Sequence, residues 1–219
     1  MAIPVMILGK SGSGKSASMR ECVGKDFNLI RVLKKPLPFR GKIDGWQSDD
    51  YEFVRKALRL APAKSIVIDD AGYLITNYFM KNHSTKGAGN AVFSMYNTMA
   101  DQFWGMIQFI VNEVPEDKIV YIMMHEDVNE FGDVKPKTIG KMLDEKICLE
   151  GLFTIVLRCI NNMTEHKFVT QSDGGAVSKS PIGMFENLEI ENNLLYVDNK
   201  IRSYYGIENK KNEESEEKS

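Results

Sequence analysis

The chain has 219 residues, which is enough for one domain with a sizeable hydrophobic core. Its formal net charge is −2, so overall electrostatics give no reason for nucleic-acid binding, and any such contact requires a local basic patch. No apolar run is long enough to cross a membrane, and the first run lacks the positive flank of a signal peptide. We therefore expect a cytoplasmic protein with no membrane partner, and we expect its cysteines to be reduced.

Apolar blocks along the chain predict strands and helices in alternation. Continuous apolar runs predict buried strands at residues 3–8, 28–33, 65–69, 119–124 and 152–160. Helical patterns cover residues 16–23, 49–61 (capped by Ser48), 91–111, 141–150 and 192–205 (stopped by Gly206). A turn at 161–162 and a strand at 167–171 add an antiparallel hairpin at one edge. This alternation is typical of an α/β fold with a mainly parallel central sheet and helices on both faces. We predict one domain at residues 1–207 and a disordered charged tail at 208–219.

Residues 9–16 read GKSGSGKS and fit the phosphate-binding pattern G-x-x-x-x-G-K-[ST]. The glycines let the backbone curl so that successive N–H groups face phosphate oxygens, and the next helix points its positive end at them. Lys15 supplies a charge for the β and γ phosphates, which makes it a catalytic candidate, and the Ser16 hydroxyl is a ligand for Mg²⁺. The predicted nucleotide-binding residues are Gly9, Ser11, Gly12, Ser13, Gly14, Lys15, Ser16 and Ala17.

Polar residues follow two of the predicted strands. Asp69 and Asp70 end the strand at 65–69, where a carboxylate can hold the magnesium shell opposite Ser16. We assign the metal to Asp69, and Asp70 is a candidate for orienting the attacking water. His125 and Glu126 end the next apolar strand. We expect either that His125 senses the γ-phosphate, with Glu126 as a rival catalytic base, or that His125 is merely hydrogen-bonded at a strand end.

A local basic cluster follows that strand and consists of Lys135, Lys137, Lys141 and Lys146. These lysines, together with Lys179, are candidates for contact with a nucleic-acid backbone or with a neighbour's ATP. A solvated loop explains the cluster equally well. Residues 82–90 are either a mobile DNA-facing loop or a plain connection. Phe103, Trp104 and Phe109 have helical spacing and are predicted to lie in the core rather than to stack on bases.

The chain resembles the compact RecA-like ATPases of bacteriophages, small recombination proteins that anneal single-stranded DNA. The segments that carry the resemblance are residues 3–16, 66–70, 125–126, 137–146, 153–157 and 179–185, within a similar region of about 3–188. The resemblance implies a RecA-like P-loop fold that binds Mg-ATP through Lys15, Ser16 and Asp69. It also implies a role in phage DNA recombination or replication in the bacterial host cytoplasm, and assembly into rings or filaments on single-stranded DNA.

One departure from the family concerns hydrolysis. RecA itself carries a catalytic glutamate after the strand that follows the P-loop helix, whereas this chain has Lys34-Lys35-Pro36 there. Hydrolysis is therefore expected either to be slow or to use Asp70 or Glu126. Two alternatives stay open: a small-molecule kinase, whose lid at 131–146 would have lysines but no arginine, and a nucleotide-binding switch or assembly protein that barely hydrolyses. The sequence shows no guanine-reading motif, and ATP is expected mainly from the resemblance.

Overall fold

The computed structural model describes residues 1–84, 89–130, 132–162, 165–172 and 174–207. The strands are β1 (Ile3–Gly9), β2 (Phe27–Arg31), β3 (Gly45–Gln47), β4 (Ser65–Asp69), β5 (Ile119–Val128), β6 (Val134–Pro136), β7 (Ile155–Asn161), β8 (His166–Val169) and β9 (Glu189–Glu191). The α-helices are α1 (Tyr51–Leu60), α2 (Gly72–Asn82), α3 (Asn90–Glu113) and α4 (Leu194–Tyr205). Short 3₁₀ helices cover Ser16–Cys22 and Glu150–Leu152, and a π-helical turn covers Met142–Lys146.

These strands form one sheet in the order β3-β2-β4-β5-β1-β7-β8-β9. Six neighbouring strands of this order are mutually parallel, namely β3, β2, β4, β5, β1 and β7. Strands β8 and β9 continue the sheet in antiparallel fashion. The short strand β6 pairs antiparallel with the far end of β5. Because β5 lies between β1 and β4, the carboxyl ends of these three strands are neighbours on one edge of the sheet. Ligands of open α/β sheets bind at this edge.

The sheet is covered on both faces, which explains why its central strands are continuously apolar. On one face, Leu8 and Ile68 belong to a buried cluster that includes Leu74 of α2 and Phe103 of α3. On the other face, a second cluster joins the alternate strand residues to the 3₁₀ helix at Ser16–Cys22 and to α4. Within the part of the chain that is described, no helix has both the length and the apolar character needed to cross a bilayer.

The predicted α/β class, with a mostly parallel sheet and an antiparallel hairpin at one edge, is confirmed. Gly206 also ends α4 as predicted, in the left-handed conformation at φ 64°. Several local predictions were wrong. Asp50 rather than Ser48 caps α1, since its carboxylate accepts a hydrogen bond from the Phe53 amide at 2.7 Å. Trp104 is 43% exposed and is not a core residue.

Other elements differ because tertiary contacts override the local pattern. The helix predicted at 141–150 is split into a π-helical turn and a 3₁₀ turn, and the helix predicted at 16–23 is 3₁₀ rather than α. Sequence analysis also missed three strands of only three residues each, β3, β6 and β9, and it missed helix α2. The predicted tail at 208–219 and residues 85–88 of the loop predicted at 82–90 lie outside the described residues.

Candidate functional site at the carboxyl edge of the sheet

The glycine-rich loop, residues 9–16, joins β1 to the 3₁₀ helix and closely approaches its neighbours. Gly12 and Gly14 have positive φ angles of 78° and 102°, which side chains rarely adopt. A Cβ atom on Gly14 would lie 2.7 Å from the ring of His166, and one on Gly9 would lie 2.6 Å from the carbonyl oxygen of Cys159. Of the two fixed glycines of the motif, Gly14 is therefore required both by its backbone conformation and by packing against β8, and Gly9 is required by packing against β7.

The underside of the glycine-rich loop is held by hydrogen bonds to the Ser13 carbonyl oxygen. This oxygen accepts from Cys159 Sγ at 2.9 Å and from His166 Nδ1 at 2.8 Å. A trans peptide places its N–H opposite its C=O, so the Gly14 amide points away from Cys159 and His166. The Ser13 hydroxyl is buried without a hydrogen-bond partner among the described residues. Such orphaned polar atoms are uncommon and favour a ligand at this position.

Lys15 is buried inside the curl of the loop, with only 6% of its surface exposed. Its Nζ atom donates hydrogen bonds to the carbonyl oxygens of Gly9 and Lys10, both at 2.8 Å, and lies 3.4 Å from His125 Nδ1. Burial lowers the pKa of Lys15, although nearby acidic groups including Asp70 act in the opposite direction. A buried ammonium held by two neutral carbonyls is a site where an anion would be strongly favoured.

Ser16 contacts the carboxylate at the end of β4. Its Oγ atom donates to Asp69, with distances of 2.9 Å to Oδ1 and 3.1 Å to Oδ2. Asp69 is only 3% exposed, and burial, followed by the charge of Asp70, raises its pKa. A hydroxyl beside a buried carboxylate offers two oxygen ligands to a hard divalent cation, whose charge would relieve this strain. The structure thus brings together the two residues assigned to the metal.

Asp70 is held in a strained conformation between a lysine and a histidine. Its φ angle of 58° is left-handed, the only such value outside glycine among the described residues. Its Oδ2 atom pairs with Lys35 Nζ, and its Oδ1 atom lies 3.6 Å from His125 Nε2. Burial raises the pKa of Asp70, but the hydrogen bonds from His125 and Lys35 outweigh it, so the pKa is lowered overall. Residues with strained backbone conformations cluster at functional sites.

Glu126, the rival catalytic base, is paired with a residue of another strand. Arg158 of β7 donates to Glu126 through Nε at 2.8 Å and Nη2 at 2.9 Å, a bidentate arrangement in which the carboxylate is almost fully buried. Of the four predicted catalytic residues, Lys15, Asp70 and His125 form one contact chain. Glu126 lies beside this chain of contacts and is engaged by Arg158.

A cavity of about 500 Å³ opens next to these groups. Its walls include Lys10 and Ser11 of the glycine-rich loop, Tyr73 of α2, His125 and Lys137. The Lys137 amide donates to the His125 carbonyl oxygen at 2.8 Å, which ties the segment after β6 to the end of β5. Lys137, predicted to contact DNA or a neighbour's ATP, therefore lies at this chain's own site.

The other predicted lysines do not share that position. Lys135 and Lys146 line a separate cavity of about 310 Å³. Lys141 is exposed to solvent. Lys179 pairs with Val156 through two backbone hydrogen bonds of 2.8 Å and 2.9 Å, which extend the edge of β7. The lysines that looked like one cluster in the sequence are thus divided between two cavities and the open surface.

Sequence analysis missed three side chains that complete the site. Lys35 comes from the loop after β2, and it was noted only because it replaces a glutamate. His166 and Arg158 come from the edge hairpin, whose packing against the glycine-rich loop and β5 has no local sequence signal. Only the position of Lys35 one strand away from β4 could have identified it, because carboxyl ends of adjacent parallel strands lie side by side.

The residues present fit a magnesium ion bound together with phosphates. No group of three or more His, Cys, Asp and Glu side chains arranged for a metal occurs in the described ranges. Mg²⁺ bound to nucleotides takes one or two protein oxygens and completes its shell with waters and phosphates. Ser16 and Asp69 meet that requirement. In comparisons with known proteins, no protein-family model matches this chain, and no curated protein gives a significant match.

Proposed function

We propose that this chain is a RecA-like P-loop ATPase that binds Mg-ATP at the glycine-rich loop. The observation that carries the proposal is the hydrogen bond between Ser16 Oγ and Asp69, residues that are 53 positions apart in the sequence. A motif match by chance would give a glycine-rich turn, but it would give no reason for a strand-end carboxylate to lie against the motif's final hydroxyl. A P-loop ATPase needs this pair to hold the metal on the nucleotide.

The residues of the site have separate tasks in this proposal. Lys15 exchanges its two carbonyl partners for oxygens of the β and γ phosphates, and backbone amides of the glycine-rich loop bind the same phosphates. Ser16 and Asp69 hold the metal. Bound Mg²⁺ neutralises charge that develops on the phosphates. His125 lies between Lys15 and Asp70, where it can sense the terminal phosphate.

The position of β5 between β1 and β4 supports the RecA-like assignment, because it delivers His125 between the loop lysine and the strand-end acids. The proposed action on single-stranded DNA in phage recombination or replication, in rings or filaments, rests on the sequence resemblance. In that role Lys135, Lys141 and Lys179 are the proposed contacts to DNA or to a neighbouring subunit. Lys137 joins them only if DNA or a neighbour closes the cavity that it lines.

Hydrolysis is expected to be slow without a partner. Both acidic candidates for the base are occupied, Asp70 by Lys35 and His125 and Glu126 by Arg158. The lowered pKa of Asp70 makes it a weaker base, and both carboxylate oxygens of Glu126 already accept hydrogen bonds from Arg158. This pairing favours, as a close variant of the proposal, a nucleotide-binding switch whose turnover requires DNA or a second subunit.

A second candidate function is phosphoryl transfer to a small acceptor. The cavity of about 500 Å³ beside Ser11 and His125 is large enough for a small molecule, and Lys137 offers a cation at its wall. A kinase would use this cavity for its acceptor, whereas an ATPase would leave it for water and for a partner.

The test is phosphate release from Mg-ATP, measured with and without a single-stranded oligonucleotide. Calorimetry of ATP binding accompanies it. We expect the wild type to bind ATP in the presence of magnesium and the oligonucleotide to stimulate release. Lys15→Ala should abolish tight binding, and Lys25→Ala, which removes an exposed lysine outside the loop, should not. Equal binding by the Lys15→Ala variant would overturn the loop assignment. Binding without stimulation by the oligonucleotide would overturn the DNA role and direct a search for small acceptors.

A further inference from the structure

Lys35 occupies a position that the proposed function has not yet explained. It comes from the loop after β2, and its Nζ atom pairs with Asp70. Its side chain is 46% exposed, whereas the Asp70 carboxylate is only 4% exposed. The cation therefore enters from solvent and reaches an acid that is fixed inside the site.

The backbone around Lys35 favours this reach. Pro36 restricts the preceding residue to extended conformations, and the Lys35 amide donates to the Leu33 carbonyl oxygen at 3.1 Å. The backbone of Lys35 is thus restricted, and the flexible part of the residue is its four-carbon side chain. A lysine with a fixed origin and a mobile, half-exposed ammonium group can change partners at low cost.

The charges of the site provide a reason for such a change. Lys15 and Lys35 lie at the two ends of a line of contacts that runs through His125 and Asp70, and the charge of Lys35 contributes to lowering the pKa of Lys15. In the described structure the two lysines balance the two aspartates, Asp69 and Asp70. A nucleoside triphosphate brings more negative charge than one Mg²⁺ ion neutralises, so a bound terminal phosphate would compete with Asp70 for the nearest mobile cation.

We propose that Lys35 is a second phosphate-binding cation, supplied by the same chain, that moves from Asp70 to the terminal phosphate of a bound nucleoside triphosphate. The proposal rests on the proposed function. With a triphosphate present, Lys15 and Lys35 hold the γ-phosphate from two directions, and Asp70 loses one of its two partners. A diphosphate lacks the group that Lys35 would contact, so Lys35 stays on Asp70. Lys35 thereby distinguishes the triphosphate from the diphosphate and frees Asp70 only in the triphosphate state.

The test compares the affinities of two nucleotides by calorimetry in the presence of magnesium. The probes are ADP and the non-hydrolysable imido analogue of ATP, so turnover does not affect the result. Loss of a charged hydrogen bond corresponds to a weakening of roughly 10- to 100-fold. We expect Lys35→Ala to weaken binding of the triphosphate analogue by that factor and to leave the affinity for ADP unchanged. The matched control is Lys34→Ala, which removes the same charge one residue earlier at an exposed position and should change neither affinity.

A merely structural role of Lys35, neutralising Asp70, has to be separated from phosphate contact. In an Asp70→Asn background there is no charge at residue 70 to neutralise. A further Lys35→Ala change should still weaken binding of the triphosphate analogue more than binding of ADP. An unchanged ratio of the two affinities, in either background, would overturn the inference. If the wild type binds neither nucleotide, the proposed function itself fails. If it binds both and Lys35→Ala alters them equally, only the role of Lys35 fails.

Discussion

The contact between Gly14 and His166 can be tested by a pair of glycine substitutions that differ in one respect. Gly12→Ala and Gly14→Ala both place a side chain on a residue with positive φ, at 78° and 102°. A Cβ atom on Gly12 would meet no atom within 4 Å, whereas one on Gly14 would lie 2.7 Å from the His166 ring. The first substitution therefore adds backbone strain alone, and the second adds strain and a steric clash.

The magnitudes follow from that difference. Left-handed backbone costs a non-glycine residue about 1–2 kcal/mol, so Gly12→Ala should reduce the free energy of unfolding by about that amount. Overpacking adds about 1–3 kcal/mol, so Gly14→Ala should cost correspondingly more. The imidazole can escape the clash only by leaving the Ser13 carbonyl oxygen, to which it donates at 2.8 Å. Gly14→Ala should therefore also weaken nucleotide binding, because the loop loses its support from β8.

The assay is urea unfolding of both variants, followed by calorimetry with Mg-ATP. Adding His166→Ala to each variant completes a double-mutant cycle. His166→Ala should recover the clash part of the Gly14→Ala loss but not the strain part, and it should recover nothing for Gly12→Ala. Equal destabilisation by the two glycine substitutions would refute the packing of His166 against the loop. So would the absence of any coupling between Gly14 and His166.

Two further predictions concern acids outside the site. Asp49 accepts from Lys81 at 2.6 Å, and this bond, the largest cause, lowers its pKa. Asp49→Asn should thus reduce the free energy of unfolding by about 1 kcal/mol at neutral pH. This loss of stability should vanish as the pH falls from the ordinary pKa of 3.8 through the lowered pKa of Asp49. The measurement is the free energy of unfolding as a function of acidic pH, and the control is Asp44→Asn at an exposed position. Asp198 is buried and accepts from Arg202 at 2.7 Å, so Asp198→Asn should cost about 3–5 kcal/mol in urea unfolding. A loss no larger than that of Asp44→Asn would contradict the importance of this pair.

The sheet was predictable because its central strands carry their signal locally. The strands β1, β4, β5 and β7 are buried on both faces, and each reads as a continuous apolar run in the sequence. The elements that were missed depend on partners distant in sequence. A Cβ atom on Gly45 of β3 would lie 1.9 Å from the Leu29 carbonyl oxygen, so that strand exists only through its close approach to β2. No local pattern encodes such an approach.

Some residues of the candidate site likewise have a local sequence signal, and others do not. The glycine-rich loop and Asp69 were predictable because a phosphate-binding motif constrains consecutive residues, and a strand-end acid follows a visible apolar run. The state of the two candidate bases was not predictable from the sequence. Glu126 and Arg158 are 32 residues apart, and only the strand order β5-β1-β7 shows that an arginine two strands away can reach across β1.

That strand order leaves the two candidate bases with partners of different mobility. Arg158 binds Glu126 with two parallel hydrogen bonds inside the sheet edge, and its release would leave an almost fully buried carboxylate unpaired. Lys35 binds Asp70 from a half-exposed position, and its release leaves Asp70 with His125 as a second partner. Freeing Asp70 therefore costs less than freeing Glu126. If the protein hydrolyses ATP, Asp70 is therefore the acid that a bound phosphate can free, by drawing Lys35 away from it. Glu126 is better suited to holding β5 and β7 in register around the loop.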